Sequence, residues 1–342
     1  MSGQLSWLEA GVVGALQGVA ELFPVSSLGH SVLLPAWVGG SWQRDLDVSS
    51  SESPYLAFIV GLHVATAIAL IIYFWRDWVR IIRGLVTSVA RREVRDSDQR
   101  LAWMLVIATI PVGVVGLVGE HFFRTHLGRP VPTAIFLTIN GLVLFVAEHL
   151  RRGGGTRGSH ALASQAVAGH AVAGQAISEQ APGSQAVAGH ASGHHADLNS
   201  EYIDERVSGP ASDERLAAMP LLRGTLIGAL QIAALAPGIS RSGVATVGGM
   251  LRGLSREDAA RFSFLLATPV ILAAGALKLG DLAGPLGNGI RGQVVFGSVL
   301  SGVGAYLSIR FLTRYLANRS LRPFATYCVV AGVASLVLFA VR

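Results

Sequence analysis

The chain has 342 residues, of which 51% are hydrophobic and only 14% are charged, and its mean hydropathy is +0.51. Soluble proteins carry about 25% charged residues, so the composition excludes an ordinary soluble domain. The net charge of +6 does not indicate nucleic-acid binding, because the basic residues are spread over short segments between apolar ones.

The apolar segments predict the fold class. Six windows are long enough to cross a hydrocarbon core of about 30 Å as helices, namely 55–75, 101–119, 133–150, 262–280, 294–312 and 323–341. The chain is therefore predicted to be an all-α polytopic membrane protein. The first apolar segment lacks the basic flank and small-residue cleavage site of a signal peptide, so we do not expect its removal. The single cysteine, Cys328, lies in the last window and is read as a small core residue.

Two further apolar segments are interrupted by proline or glycine. The segment 7–38 breaks at Pro24, and the segment 221–251 breaks at Pro237-Gly238. Two broken segments at corresponding places are typical of re-entrant hairpins around a site near the membrane midplane. Irregular backbone at that depth is tolerated only where it is buried in protein or lines a wet cavity.

The two hairpins belong to an internal repeat. A shift of 214 positions aligns GALQ at 14–17 with GALQ at 228–231, and it also aligns Ser26 with Ser240. We expect two membrane halves, residues 1–150 and 220–342, each with one re-entrant helical hairpin and three transmembrane helices. Three crossings per half is an odd number, so the topology of the second half is inverted.

Arginine placement predicts the orientation. Seven arginines lie in 76–100, and others follow residue 150 and lie at 314–322. By the positive-inside rule these segments are cytoplasmic, and 36–54, 120–132 and 281–293 are then external.

Residues 151–219 differ from the rest of the chain. Gly, Ala, Ser, Gln and His dominate, and the octapeptide SQAVAGHA occurs at 164–171 and at 184–191. Such a segment has no large apolar side chains to bury, so it is predicted to be a disordered cytoplasmic linker between the halves.

The first hairpin carries ionisable groups where lipid is expected. Gln17 and Glu21 share one helical face, and a mid-membrane carboxylate costs about 3 kcal/mol on insertion scales, so it usually marks function. Ser26, Ser27 and His30 follow the break at the start of a new helix, where free N–H groups favour anions.

The second hairpin carries PGISRSG at 237–243, which places Arg241 between Ser240 and Ser242 and close to Gly238. A guanidinium presents a planar fork of donors that fits phosphate oxygens, and glycine lets a ligand approach the backbone. The two hairpins together predict an anion clamp, an acid/base pair and metal ligands in one cavity. This combination suits phosphoryl chemistry on a substrate anchored in lipid.

Three stretches resemble the undecaprenyl-diphosphatase (bacitracin-resistance) family: LQGVAELFPVSSLGH at 16–30, PGISRSG at 237–243 and RFSFLLATPVILAA at 261–274. The resemblance covers both membrane halves and leaves the linker out. It implies hydrolysis of undecaprenyl diphosphate to undecaprenyl phosphate, which recycles the lipid carrier for peptidoglycan synthesis and confers bacitracin resistance. It also implies a bacterial inner-membrane protein whose site is accessible from the outer face and depends on a divalent cation, Mg²⁺ or Ca²⁺.

The resemblance also implies roles for individual residues. Glu21 and Gln17 would hold the metal or polarise water, and His30 would be a general acid/base or the nucleophile. Ser27 would orient His30 or attack the substrate itself. The phosphates would be bound by Arg241, Ser240, Ser242, Gly238 and Ser26. Two positions depart from the family pattern: residue 17 is Gln where Glu is commoner, and Ala245 stands where the motif has Thr.

Two other functions share some of these features. Inverted halves with broken helices are also transporter architecture, so a polyprenyl-phosphate transporter or flippase is the main alternative. A type-2 phosphatidic acid phosphatase is disfavoured, because only VSSLGH resembles that family and its other motifs have no match. The sequence leaves open whether the chain is a monomer or a homodimer.

Overall fold

The computed structural model describes residues 5–46, 54–173, 210–284 and 289–342, and within them all regular structure is helical. The first half contains α1 (Trp7–Leu22), α2 (Ser27–Val38), α3 (Gly40–Asp45), α4 (Pro54–Tyr73), α5 (Trp75–Arg91), α6 (Ser97–Phe122), a π-helical turn (Phe123–Leu127) and α7 (Pro130–Ala173). The second half contains α8 (Pro210–Ala217), α9 (Leu221–Leu230), a 3₁₀ turn (Gln231–Leu235), α10 (Arg241–Leu251), α11 (Arg256–Ala283), α12 (Arg291–Asn318) and α13 (Arg322–Val341).

Six of these helices are long and apolar enough to cross a membrane. Their candidate spans are Tyr55–Tyr73, Ser97–Gly119, Pro130–Arg151, Arg256–Leu277, Arg291–Asn318 and Arg322–Val341. Each overlaps one window predicted from the sequence, so the prediction of a polytopic helical membrane protein is confirmed. Both short hairpins are also present as broken helix pairs, α1–α2 and α9–α10.

The segment between α4 and α6 is more ordered than a loop. Residues 75–91 form α5, whose inner face buries Asp77, Ile81 and Ser88, while Ile82 and Val86 are exposed. An amphipathic helix rich in arginine is typical of the membrane interface.

Helices extend into both ends of the segment predicted to be the linker. Helix α7 continues to Ala173, and α8 begins at Pro210, inside the segment assigned to the linker. Helix α8 is anchored because Asp213 is buried and pairs with Arg80 and Arg261. Arg215 adds two hydrogen bonds to Asp258, at 2.7 and 2.8 Å. These ion pairs join residues far apart in sequence, so composition alone does not show them. The remaining linker residues, 174–209, lie outside the described residues.

Glycines bring the two halves into close contact. Helix α1 packs along α12, and a Cβ on Gly18 would lie 2.3 Å from the carbonyl oxygen of Ser301. Helix α7 packs along α13, where a Cβ on Gly141 would lie 2.7 Å from the carbonyl oxygen of Ala325. Small residues let helix backbones approach in membranes. Because helices of one half pack on helices of the other, the two hairpin breaks meet in the middle of the protein.

Candidate active site

The two helix breaks contact each other directly. The Gly238 N–H donates to Ser26 Oγ at 3.1 Å, and Gly29 packs against Gly238. Gly238 has φ +107°, and a Cβ there would lie 2.4 Å from the carbonyl oxygen of Thr133. Only glycine satisfies both the backbone conformation and the space.

The serines before α2 and α10 cap these helices in the same way. Ser26 Oγ accepts from the Gly29 N–H, and Ser240 Oγ accepts from the Gly243 N–H. Side-chain caps of this type satisfy free N–H groups at a helix start. Ser26 has φ +69°, an unusual value for a residue other than glycine, and such strain is frequent at functional sites.

Asn140 on α7 joins the two breaks. Its Nδ2 donates to the Pro24 carbonyl oxygen at 2.9 Å, and its Oδ1 accepts from the Ser240 N–H at 3.0 Å. The side chain is buried. Asn140 is not among the residues predicted from the sequence, where its only signal is a lone amide in an apolar window.

Glu21 lies at the centre of the site and is only 7% exposed. Its Oε1 accepts from Arg241 Nη2 at 2.8 Å, and its Oε2 accepts from Gln17 Nε2 at 3.0 Å. Ser27 also donates to Oε2 through a short hydrogen bond. Four of the residues predicted from the sequence, Gln17, Glu21, Ser27 and Arg241, are therefore brought together, although they come from both hairpins.

His63 on α4 is a site residue that the sequence analysis missed. Its Nε2 lies 3.2 Å from Glu21 Oε2, and its Nδ1 lies 2.8 Å from the carbonyl oxygen of Ile59. Both partners are hydrogen-bond acceptors. Glu21 is thus held between Arg241 and His63.

A cavity of about 300 Å³ opens beside this cluster. Its polar lining is Arg241, His63 and Gln231, and its walls are largely apolar, including Leu28, Leu56, Ile59, Val112, Leu235 and Ile271. Arg241 is 22% exposed and is the first residue of α10, directly after the capping Ser240. A few donors in an apolar cleft form the usual pattern of a small-molecule or lipid head-group site.

The remaining predicted phosphate ligands have their side chains turned to other partners. Ser240 Oγ lies 3.0 Å from Ser242 Oγ, and Ser242 Oγ donates to the Phe23 carbonyl oxygen at 3.3 Å. Together with Ser26, these hydroxyls hold the two hairpins against each other. Their role as phosphate ligands stays a prediction.

His30 is oriented toward α13. Its Nδ1 donates to the Ser26 carbonyl oxygen at 2.7 Å, and its Nε2 lies 2.6 Å from the Tyr327 hydroxyl. The imidazole also stacks on the Tyr327 ring. Because both nitrogens are engaged, His30 is well placed to position the start of α2, and its predicted acid/base role stays a prediction.

Glu21 and Gln17 are the residues predicted to hold a divalent cation, and this role stays a prediction. In the part of the chain that the structure describes, no three His, Cys, Asp or Glu side chains form a metal cluster. Gln17 Oε1, however, is buried and has no hydrogen-bond partner, while its Nε2 is bound to Glu21. One carboxylate and one amide oxygen fit Mg²⁺ or Ca²⁺, which take oxygen ligands, and Mg²⁺ in particular completes its shell with water and substrate phosphate.

Comparison with known proteins finds one family. The family model described as "Bacitracin resistance protein BacA" matches residues 10–184 and 196–334. Over all 342 residues and the full length of both chains, the protein is 56% identical to the undecaprenyl-diphosphatase of Mycolicibacterium paratuberculosis. It is 51% identical to undecaprenyl-diphosphatase 1 of Frankia casuarinae, over 98% of this chain and 99% of the relative. The undecaprenyl-diphosphatase of Granulibacter bethesdensis is 34% identical over 96% of this chain and 95% of its own.

Proposed function

Because the chain belongs to the bacitracin resistance protein BacA family, we propose that it is an integral membrane phosphatase that hydrolyses undecaprenyl diphosphate. The products are undecaprenyl phosphate and inorganic phosphate, and the reaction recycles the lipid carrier for peptidoglycan synthesis and confers bacitracin resistance. The observation that carries this proposal is the meeting of Arg241 and Glu21, one from each hairpin, beside a cavity with apolar walls.

Arg241 binds the diphosphate. One nitrogen of its guanidinium holds Glu21, which leaves the rest of the donor fork for phosphate oxygens in the cavity. His63 lies on the same wall of the cavity. Donors fixed before the substrate arrives stabilise the charge that develops in the transition state without further reorganisation.

Ser27 is the nucleophile that attacks phosphorus, and Glu21 is its base. A hydroxyl that donates to a buried carboxylate has the geometry of a nucleophile with its base. Ser27 Oγ would attack the terminal phosphorus, the bond to the bridging oxygen would break, and the proton of Ser27 would pass to Glu21. Water would then hydrolyse the phosphoserine. The bonds of His30 to Ser26 and Tyr327 favour Ser27 over His30 as nucleophile.

Rapid acid quench tests this step. Radiolabel from a substrate with a labelled terminal phosphate should be trapped on the wild type and not on Ser27→Ala. Turnover without any trapped label, together with residual activity of Ser27→Ala near that of the wild type, would instead indicate direct attack by water.

A divalent cation, Mg²⁺ or Ca²⁺, would be held by Glu21 and Gln17. When bound, such an ion neutralises phosphate charge and polarises the phosphoryl oxygens. The unpaired Gln17 Oε1 supports this assignment. Restoring the commoner acid with Gln17→Glu should be tolerated and should lower the concentration of Mg²⁺ needed for half-maximal activity.

We further propose that the halves form an inverted repeat in the bacterial inner membrane, with the site open to the outer face. The equivalent caps at Ser26 and Ser240 support the repeat. Single cysteines in a Cys328→Ser background test the topology. In spheroplasts, Ser97→Cys should resist an impermeant thiol reagent and Thr125→Cys should react; labelling of both from one side would show that the crossing count is wrong.

A transporter or flippase is the second candidate, because two broken helices that meet at a cavity are also transporter architecture. Purified protein in detergent separates the two. A phosphatase releases phosphate from undecaprenyl diphosphate, and from farnesyl diphosphate more slowly, in a reaction that EDTA stops and Mg²⁺ or Ca²⁺ restores. A carrier without phosphatase activity releases none.

A further inference from the structure

Gln231 is a buried polar side chain in the cavity without a partner. It is 1% exposed and lines the same cavity as Arg241 and His63. Neither its amide oxygen nor its amide nitrogen has a hydrogen-bond partner. Buried polar groups are nearly always hydrogen-bonded, since leaving them unpaired is unfavourable. An amide with both ends unpaired in a ligand-sized cavity therefore points to a ligand.

The internal repeat explains why this amide is free. Gln231 corresponds to Gln17 in the first hairpin, and Gln17 donates to Glu21 one helical turn later. The position that corresponds to Glu21 is occupied by Leu235. The second hairpin thus keeps the amide and lacks the carboxylate, so the Gln231 N–H groups remain available as donors.

The backbone also differs between the two halves at this point. Helix α1 runs as a regular α-helix through Gln17 to Leu22, whereas α9 tightens into a 3₁₀ turn at Gln231–Leu235. A 3₁₀ stretch within a helix often marks a functional position. Here it lies next to the Gly238 break and on the wall of the cavity.

We propose that Gln231 is a substrate-binding residue whose Nε2 donates to an oxygen of the diphosphate, together with Arg241. The proposal rests on the proposed function, because it names a further ligand of the same substrate. A donor role is favoured over a metal ligand because the described lining of the cavity contains the Arg241 guanidinium and no carboxylate. Gln17, whose Oε1 is also unpaired, donates instead to the Glu21 carboxylate through its Nε2.

Gln231→Met tests the proposal, because methionine keeps the length of the side chain and removes both amide atoms. The variant should melt at the same or a higher temperature than the wild type, since two unpaired buried polar atoms are gone. Its kcat/KM for farnesyl diphosphate should fall about 10- to 100-fold, the loss expected for one hydrogen bond to a charged group. A kcat/KM within twofold of the wild type would overturn the proposal.

Gln99→Met is the matched control. Gln99 is also a buried glutamine, but its amide is paired with the Arg95 N–H at 2.7 Å and with Thr87 Oγ1 at 3.2 Å, away from the cavity. This variant should show the opposite pattern, a lower melting temperature with unchanged activity per folded protein. Equal losses of activity in the two variants would mean that Gln231 acts only through packing.

Gln231→Glu separates a phosphate donor from a metal ligand. A carboxylate repels phosphate, so this variant should be less active than Gln231→Met. Activity at or above the wild type, with a lower Mg²⁺ requirement, would show that the oxygen of residue 231 binds metal and that the proposal is wrong.

Inorganic pyrophosphate gives a readout that does not need turnover. It should raise the melting temperature of the wild type and of Gln99→Met, and should have at most a small effect on Gln231→Met. If the wild type binds pyrophosphate but releases no phosphate from a prenyl diphosphate, the proposed function fails while the binding role of Gln231 stands. If pyrophosphate stabilises Gln231→Met as much as the wild type, the binding role fails.

Discussion

Arg241→Lys keeps the positive charge and removes the fork of donors. In the structure Arg241 Nη2 lies 2.8 Å from Glu21 Oε1, and the other guanidinium N–H groups remain for the cavity. A lysine ammonium is a compact point charge on a flexible stem. It can hold Glu21 or reach the diphosphate, but it does not reproduce both contacts in one fixed geometry.

The expected magnitude follows from one lost charge-assisted hydrogen bond. Such a bond contributes about 1.5–3 kcal/mol, and 1.36 kcal/mol corresponds to a tenfold change in rate. We therefore expect kcat/KM of Arg241→Lys to fall about 10- to 150-fold. The stability should change little, because the lysine ammonium can still pair with the Glu21 carboxylate.

The assay is phosphate release from undecaprenyl diphosphate by purified protein, with a thermal melt of the same sample. Arg215→Lys is the matched control, because Arg215 also makes a side-chain pair with a carboxylate, Asp258, away from the cavity. It should lower the melting temperature and leave the activity unchanged. An Arg241→Lys enzyme within threefold of the wild type would refute the view that Arg241 binds phosphate, and would indicate a purely structural pair with Glu21.

Four further variants test other parts of the protein. Glu21→Gln should insert and fold but lose turnover at least a hundredfold, because the proposed base for Ser27 is removed. Residual activity above a tenth would contradict this. Asn140→Ala should lower both the melting temperature and the activity, since it breaks two hydrogen bonds that join the hairpins; a variant with an unchanged melt would count against this role. Deletion of residues 176–205 should leave activity within a few-fold of the wild type; inactivity of the correctly inserted deletion variant would imply a role for the linker. Asp213→Asn should destabilise the protein, because it leaves the buried Arg261 with one fewer anion.

Much of the fold and part of the site were predictable from local sequence. The six spans and the two broken hairpins depend on runs of apolar residues and on Pro24 and Pro237-Gly238, so they are properties of short segments. Gln17, Glu21, Ser27 and Arg241 were selected because ionisable and hydroxyl groups next to a helix break are costly in lipid. The structure brings these four together.

The residues that the sequence analysis missed are single polar groups in otherwise apolar windows. His63, Asn140 and Gln231 each have the sequence signal of an ordinary core residue. His63 contacts Glu21, and Asn140 bonds to Pro24 and Ser240, so the partners of both residues come from other segments. Gln231 matters because it lines the cavity. Asp213 in α8 is a similar case, since it is buried and its partners Arg80 and Arg261 come from other helices.

The sequence by itself thus determined that this chain is a polytopic helical membrane protein, where its helices break, and which ionisable groups lie near the breaks. Only the tertiary structure decided which of those groups meet: it turned His30 toward Tyr327 and placed His63 on Glu21. The physical reason is that hydropathy and helix periodicity are local, whereas the pairing of helix faces is not. That pairing depends on glycine contacts such as Gly18 with Ser301 and Gly29 with Gly238, which join positions more than two hundred residues apart.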